Sequence, residues 1–207
     1  MNTKAMYRLT YGLFVLTAAE GDKLNGCIIN TAIQAASEPN QMSIAVNKAN
    51  YTHDMIKRTG SFTVSSISEK ADFELFKRFG FQSGKDVDKF AGFDAYKKLP
   101  DGTACITEGT NAFFNVKVEK TVDLGSHTMF IGQIQDMDIL SDAPSVTYSY
   151  YQENIKPKPQ AVGTTPDGQV IWRCVICGYE YVGDPLPEDF ICPICKHPAS
   201  DFERVVR

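Results

Sequence analysis

Cys174-x-x-Cys177 and Cys192-x-x-Cys195 place four of the chain's six cysteines within its last 34 residues. Each pair spans a tight turn, a knuckle that aims two thiolates and several backbone N–H groups at one point. Two facing knuckles make a tetrahedral S4 site, which suits zinc or iron. The alternative is reduced or disulfide-linked pairs without a metal, which this spacing disfavours. A module of about 35 residues is too small for its apolar core alone to hold it, so a metal would supply much of its folding free energy. Zinc and iron both stay open on spacing. From Trp172 onward the basic residues are Arg173, Lys196, Arg204 and Arg207, against the acidic Glu180, Asp184, Glu188, Asp189, Asp201 and Glu203. That balance is unlike a nucleic-acid-binding ribbon. Trp172, Tyr179, Tyr181, Phe190 and Phe202 can build an apolar shell around sulfur, a surrounding that tunes a redox metal.

Two further stretches carry polar groups in patterns that suit a ligand. "VNKANYTH" (46–53) leaves a strand-like run and enters a helical one. N–H groups at a helix amino terminus, the Thr52 hydroxyl and the Lys48 cation make a phosphate cradle there. Ordinary helix capping by Asn50 or Thr52 explains the same residues. In "INTAIQAAS" (29–37) small side chains let a flat ring approach the backbone, while Asn30, Thr31 and Gln34 face its polar edge. Strand alternation gives the bland account of this pattern. His127, in "GSHTMFIG" (125–132), is either a structural residue at a strand start or a group beside a reaction centre. Isolated Cys27 and Cys105 read as small buried hydrophobes. His197 reads as a surface residue, since four thiolates already satisfy the metal.

Strand-like runs must position these groups: "YGLFVLTA" (11–18), "GCIINTAIQAA" (26–36), "MSIAVN" (42–47), "SFTVSSI" (61–67), "AFFNVKVEKTV" (112–122) and "TMFIGQIQDMDIL" (128–140). Six strands with few helices predict a mainly β fold, an antiparallel barrel. Helices are expected at "NYTHDMIKRTG" (50–60), capped by Asn50 and closed by Gly60, and at "EKADFELFKRFG" (69–80), with Phe73, Phe76 and Phe79 facing the core. Residues 82–110 are weakly patterned and read as loop-rich. The Pro- and Gly-punctuated stretch 154–169 reads as a linker between a domain at 1–153 and a second at 170–207. If flexible, it has a reach of about 20 Å.

A hydrophobic fraction of 43% permits a real core. The early apolar stretch "GLFVLTAA" is soon broken by Glu20, Asp22 and Lys23, which argues against a signal peptide and a membrane span. A cytoplasmic, reducing compartment is therefore expected, where paired cysteines hold metal or do redox chemistry. A net charge of −4 gives no general attraction to nucleic acid.

Tyr179-Glu180-Tyr181, Gly183-Asp184-Pro185, the run "LPEDFICPIC" and the closing "DFERV" closely resemble rubredoxin, in the shortened form seen at the end of rubrerythrins. The resemblance implies one iron, cycling between ferric and ferrous, held by Cys174, Cys177, Cys192 and Cys195. It departs from the pattern at one place: Gly178 follows the first knuckle, but Lys196 stands where rubredoxins carry glycine after the second. Upstream, "NGCIINTAIQAASEP", "MSIAVNKANYTHDMIKRTGSFTVSSIS", "GSHTMFIGQIQDMDIL" and "TYSYYQENIKP" are similar to the flavin reductase-like family of FMN-binding split barrels. This similarity implies an FMN-binding split β-barrel followed by a small rubredoxin-like iron-binding domain. It also implies FMN contacts from Asn30, Thr31, Ala32, Gln34, Asn47, Lys48, Thr52 and His53, with Lys48, Thr52 and His53 nearest the phosphate. His127 would lie beside the flavin or nicotinamide in a catalytic role.

Together the two modules resemble high-molecular-weight rubredoxins, NAD(P)H-oxidising partners of flavodiiron proteins. The implied activity is electron transfer from NADH or NADPH through FMN to the iron, then to a flavodiiron protein that reduces dioxygen or nitric oxide. The implied assembly is a homodimer. No GxGxxG fingerprint occurs, which fits a nicotinamide that stacks transiently on the flavin. Two other readings remain open on the residues: a flavin-binding sensory module with a structural zinc ribbon, and a simple NAD(P)H:flavin reductase.

Overall fold

The structure, a computed structural model, describes residues 2–157, 170–175, 178–193 and 198–205. The chain divides into two compact units, one of residues 1–79 and 83–156 and the other of residues 80–82 with the described residues from Pro157 onward.

In the first unit the strands are β1 (Phe14–Glu20), β2 (Lys23–Ile29), β3 (Ile33–Ser37), β4 (Asn40–Asn47), β5 (Ser61–Ile67), the short β6 (Tyr96–Lys98) and β7 (Ala104–Ile106), and the long β8 (Thr110–Asp123) and β9 (His127–Ile139). Two helices accompany them, α1 (Tyr51–Thr59) and α2 (Phe73–Gly80). Seven strands form one antiparallel sheet in the order β2-β1-β5-β8-β9-β4-β3. Its two ends share a core: Leu16, Ala18 and Cys27 from β1 and β2 pack in one cluster with Met42, Ile44 and Val46 from β4, around Phe62, Val116 and Phe130. Only a sheet curled on itself brings such strands together.

β1 and β5 are buried along nearly their whole length, because the outer face of this part of the sheet is covered too. There Val15 and Ile67 pack with Leu75, Phe76 and Phe79 of α2, and with Phe90, Ile106, Val146 and Tyr151. Burial on both faces makes "FVLTAA" and "SFTVSSI" read as continuous runs rather than alternating ones. β8 and β9 pass each other at register shifts near Val116 and Val118. Gly132 is required there, since a Cβ would lie 2.2 Å from the Lys117 carbonyl oxygen.

The apolar run 26–36 is two strands, not one. β2 and β3 lie at opposite ends of the strand order, and residues 30–32 turn the corner between them. No Gly or Pro marks the break, because the Thr31 side chain makes it: its hydroxyl donates to Ala45 O at 2.7 Å and accepts from Ala45 N at 3.2 Å. Within the loop-rich 82–110, β6 and β7 form a small hairpin. Residues 154–155, read as the start of a linker, belong to a helical segment: the turn Tyr148–Tyr150 runs into a wider π-type turn, Tyr151–Ile155, where Tyr151 is buried against Phe76, ring centroids 4.4 Å apart.

The second unit contains β10 (Ile171–Cys174), β11 (Glu180–Val182) and β12 (Phe202–Val205), in the order β11-β10-β12. Phe202 packs in its core with Cys174 and Cys192, walled by Trp172, Tyr179, Tyr181, Leu186 and Phe190. Residues 158–169, the body of the expected linker, lie outside the described residues. Among the described residues no helix is long and apolar enough to cross a membrane.

Candidate functional site

α1 begins as its sequence predicts. Asn50 is the N-cap, its side chain accepting from Thr52 N at 3.0 Å, and Gly60 N closes the other end on Ile56 O at 2.8 Å. Packing outweighs the cap: Met55 and Ile56 are fully buried and contribute about 1.5–3 kcal/mol each, against about 1 kcal/mol for capping. The capping also occupies donors expected to face a phosphate. His53 N donates to Asn50 O, and Ala49 N donates to the Asn47 side chain.

Thr52 and His53 point into the protein. The Thr52 hydroxyl is fully buried and accepts from Asn25 Nδ2 at 2.8 Å. His53 is 3% exposed, with Nδ1 2.9 Å from Asp54 Oδ1, Nε2 2.9 Å from Thr128 Oγ1 and its ring edge-on to Phe130. Asn47 is exposed and Lys48 half-buried on the outer side of the turn. Lys48 Nζ donates to both carboxylate oxygens of Asp123, at 2.7 and 2.8 Å. Lys48 and the N–H of Gly125 hold the Asp123 carboxyl below the usual carboxylate range.

His127 opens β9 directly opposite Asn47. The hairpin tip that carries it is tied to this turn, because Lys48 N donates to Ser126 O at 3.0 Å. The His127 ring is half-buried, with Nδ1 2.9 Å from Ser126 Oγ. Asn47, Lys48 and His127 are thus brought to one end of the barrel. Thr31 links that end to the other expected segment, since Ala45, its partner, lies two residues before Asn47.

Ala32 and Gln34 line an open groove of about 710 Å³, walled by Phe14, Met42, Phe114 and Ile134. Asn30 is half-buried at the β2–β3 corner, and the exposed Gln34 amide donates to Asn40 Oδ1 at 3.1 Å. At the groove Asn111 donates through Nδ2 to Ala143 O and Ser145 Oγ, both at 2.8 Å. Its Oδ1 is buried without a hydrogen-bond partner among the described residues. An apolar wall with a few fixed amide groups suits a flat conjugated ring with a polar rim.

Lys89 is a further residue of this region that the sequence did not single out. It is 4% exposed, and its Nζ donates to Gly26 O at 2.8 Å and Phe79 O at 3.0 Å. Burial holds its pKa below the ordinary lysine value, with Cys27 acting in the opposite sense. Burial likewise pushes the Cys27 thiol up, while Thr52, Lys89 and Asn50 pull it back. These groups therefore form a buried polar cluster behind the α1 turn. The available signal was aromatic spacing: Phe90, Phe93 and Tyr96 pack on one another, which marks this stretch as docked.

In the second unit Cys174 and Cys192 are 1% and 0% exposed. β10 carries Cys174 opposite Phe202. The first knuckle closes through Gly178 N to Cys174 O at 2.9 Å and Cys174 N to Tyr179 O at 2.8 Å. Gly178 sits at φ 78°, a left-handed conformation that glycine adopts without strain. An isolated bridge between Ile191 and Pro198 brackets the second knuckle. Phe190 packs on Tyr181 and Phe202 at ring distances of 4.8 and 5.3 Å. Trp172 Nε1 is buried with no hydrogen-bond partner among the described residues. Cys177, Cys195, Lys196 and His197 lie outside the described residues, and among the described residues no group of three metal-ligating side chains occurs. Two buried thiols in an aromatic shell fit a thiolate-held metal.

Comparison with known proteins agrees with both units. Residues 6–158 match the flavin reductase like domain, and residues 172–203 match the rubrerythrin, rubredoxin-like domain. A high molecular weight rubredoxin of Moorella thermoacetica is 35% identical over 99% of this chain and 100% of its own. A ferric-chelate reductase (NAD(P)H) of Archaeoglobus fulgidus is 35% identical over 79% of this chain and 96% of its own. Among solved structures, an NADH:FAD oxidoreductase of Streptomyces globisporus superposes with a TM-score of 0.64 at 19% identity, covering 76% of this chain and 92% of that one. The chain belongs to the high-molecular-weight rubredoxin family, a flavin reductase-like domain followed by a rubredoxin-like domain.

Proposed function

We propose that this chain is an oxidoreductase that takes electrons from NADH or NADPH at FMN in residues 1–153 and delivers them to an iron held by Cys174, Cys177, Cys192 and Cys195 in residues 170–207. Residues 154–169 are the connecting linker. When bound, the flavin supplies the exchange between a two-electron hydride donor and a one-electron iron centre. The observation that carries this reading is the pairing, in one chain, of a flavin reductase-like domain with buried Cys174 and Cys192 inside an aromatic shell.

The chain's own residues then bind and orient. Ala32 and Gln34 border the ring groove, and Asn30 and Thr31 fix the corner that shapes it. Asn47 and Lys48 face the flavin's phosphate, while Thr52 and His53 hold α1 in place from behind. Buried Lys89 adds positive charge on the inner side of the same turn. His127, opposite Asn47, stands at the entry for the nicotinamide.

Exposed Glu188 and Asp189 give the second domain an acidic face for a basic acceptor, and a flavodiiron protein is the acceptor class the family suggests. A homodimer suits the groove, whose rim exposes Ile33, Met137 and Ile139. The working compartment is the cytoplasm. Cys192→Ser tests the order of transfer: flavin reduction by NADH or NADPH should persist while iron reduction and oxygen consumption through an added flavodiiron protein stop. Loss of flavin reduction as well would overturn the order.

A further inference from the structure

Around the α1 turn most polar groups have buried partners. Asn50 caps the helix, Thr52 is bonded by Asn25, and His53 has both ring nitrogens engaged. Lys48 differs. Its ammonium is paired with Asp123 in a site open to solvent, the two side chains being 38% and 73% exposed. Asp123 is not a passive neighbour, because its Oδ1 also accepts from Gly125 N at 2.8 Å. The hairpin turn thereby fixes the carboxylate toward Lys48, whose own N–H is tied to the same hairpin at Ser126. A carboxylate held against a lysine by two short contacts presents an oxygen pair like that of a phosphate monoester, with one negative charge in place of the phosphate's two.

We propose that Asp123 is an internal anion that occupies Lys48 and sets the affinity of the turn for the flavin's phosphate. The inference rests on the reading that FMN binds with its phosphate at this turn. Ligand phosphate and Asp123 carboxylate exchange at one ammonium, and the dianion displaces the carboxylate because exposed ion pairs are weak and screened. Asp123 is thus a specificity-determining residue that makes FMN binding weaker than Lys48 alone would allow. It has no effect on a flavin without a phosphate.

The test is a fluorescence titration of flavin-stripped full-length protein with FMN and with riboflavin. Asp123→Asn keeps an acceptor for Gly125 N and removes the charge. It should tighten FMN binding by roughly twofold to fivefold at low salt, leave riboflavin unchanged, and lose most of this gain at about 0.5 M salt. Lys48→Met should weaken FMN binding and abolish the effect of Asp123→Asn in the double variant. If Lys48→Met weakens FMN while Asp123→Asn fails to strengthen it, the competition is refuted and the phosphate site stands. If Lys48→Met leaves FMN binding unchanged, the phosphate lies elsewhere and the inference falls with that reading.

Discussion

His53 Nε2 lies 2.9 Å from Thr128 Oγ1, and this contact pins the first turn of α1 to the start of β9. The imidazole is buried against Phe130, so removing it leaves a cavity and an unpartnered Thr128 hydroxyl. His53→Ala should cost about 2–4 kcal/mol of stability. Thr128→Val, which keeps volume and loses only the hydrogen bond, should cost about 1 kcal/mol. Urea unfolding checks both, and a His53→Ala variant as stable as the wild type would show that the strut carries no weight.

Cys105 is 1% exposed, and burial pushes its thiol up to about 11. The native protein keeps this proton between about pH 9 and pH 11 while an unfolded thiol, ionising near pH 8.5, has lost it. The native state then binds more protons than the unfolded one, so stability falls as pH rises through that window. The expected loss is on the order of 2 kcal/mol, and Cys105→Ala should flatten it. Identical pH dependence in the variant would contradict the assignment.

Lys89 holds the carbonyl oxygens of Gly26 and Phe79. Lys89→Ala, which loses the stem as well as both hydrogen bonds, should destabilise the chain by about 2–4 kcal/mol, and Lys89→Met should recover the packing share. The sign of its pH effect is opposite to that of Cys105. A lysine whose native pKa is lowered releases its proton before an unfolded lysine does, so wild-type stability gains as pH nears about 10.4. Lys89→Met lacks that gain, and its alkaline fall in unfolding free energy should be steeper.

α1 and the long strands were legible because their signals are local: Asn50 and Gly60 bound the helix, and an apolar run marks β5. The corner at Thr31 was not legible, since a single hydroxyl bonding Ala45 breaks the strand where composition shows no break. The same holds for the turn that leads into α1. "NKANYTH" presents Lys48, Thr52 and His53 as equals, whereas the fold turns Thr52 and His53 inward onto Asn25 and Thr128 and leaves Lys48 outside with Asp123. Partners from distant strands decide which side chains face solvent, and pattern cannot supply them. Lys89 was hidden for the same reason, its acceptors being carbonyls of β2 and α2. The turn after Cys174 needed no such help, because CxxC spacing followed by Gly178 specifies it locally.

The most direct measurement is the visible absorption spectrum of the aerobically purified full-length protein, followed during anaerobic addition of NADH or NADPH. Flavin and ferric-thiolate bands should both be present, in a ratio matched by the iron content, and both should bleach with the nicotinamide. A colourless protein carrying zinc, or flavin bands that bleach while the ferric-thiolate bands persist, would contradict transfer from flavin to iron.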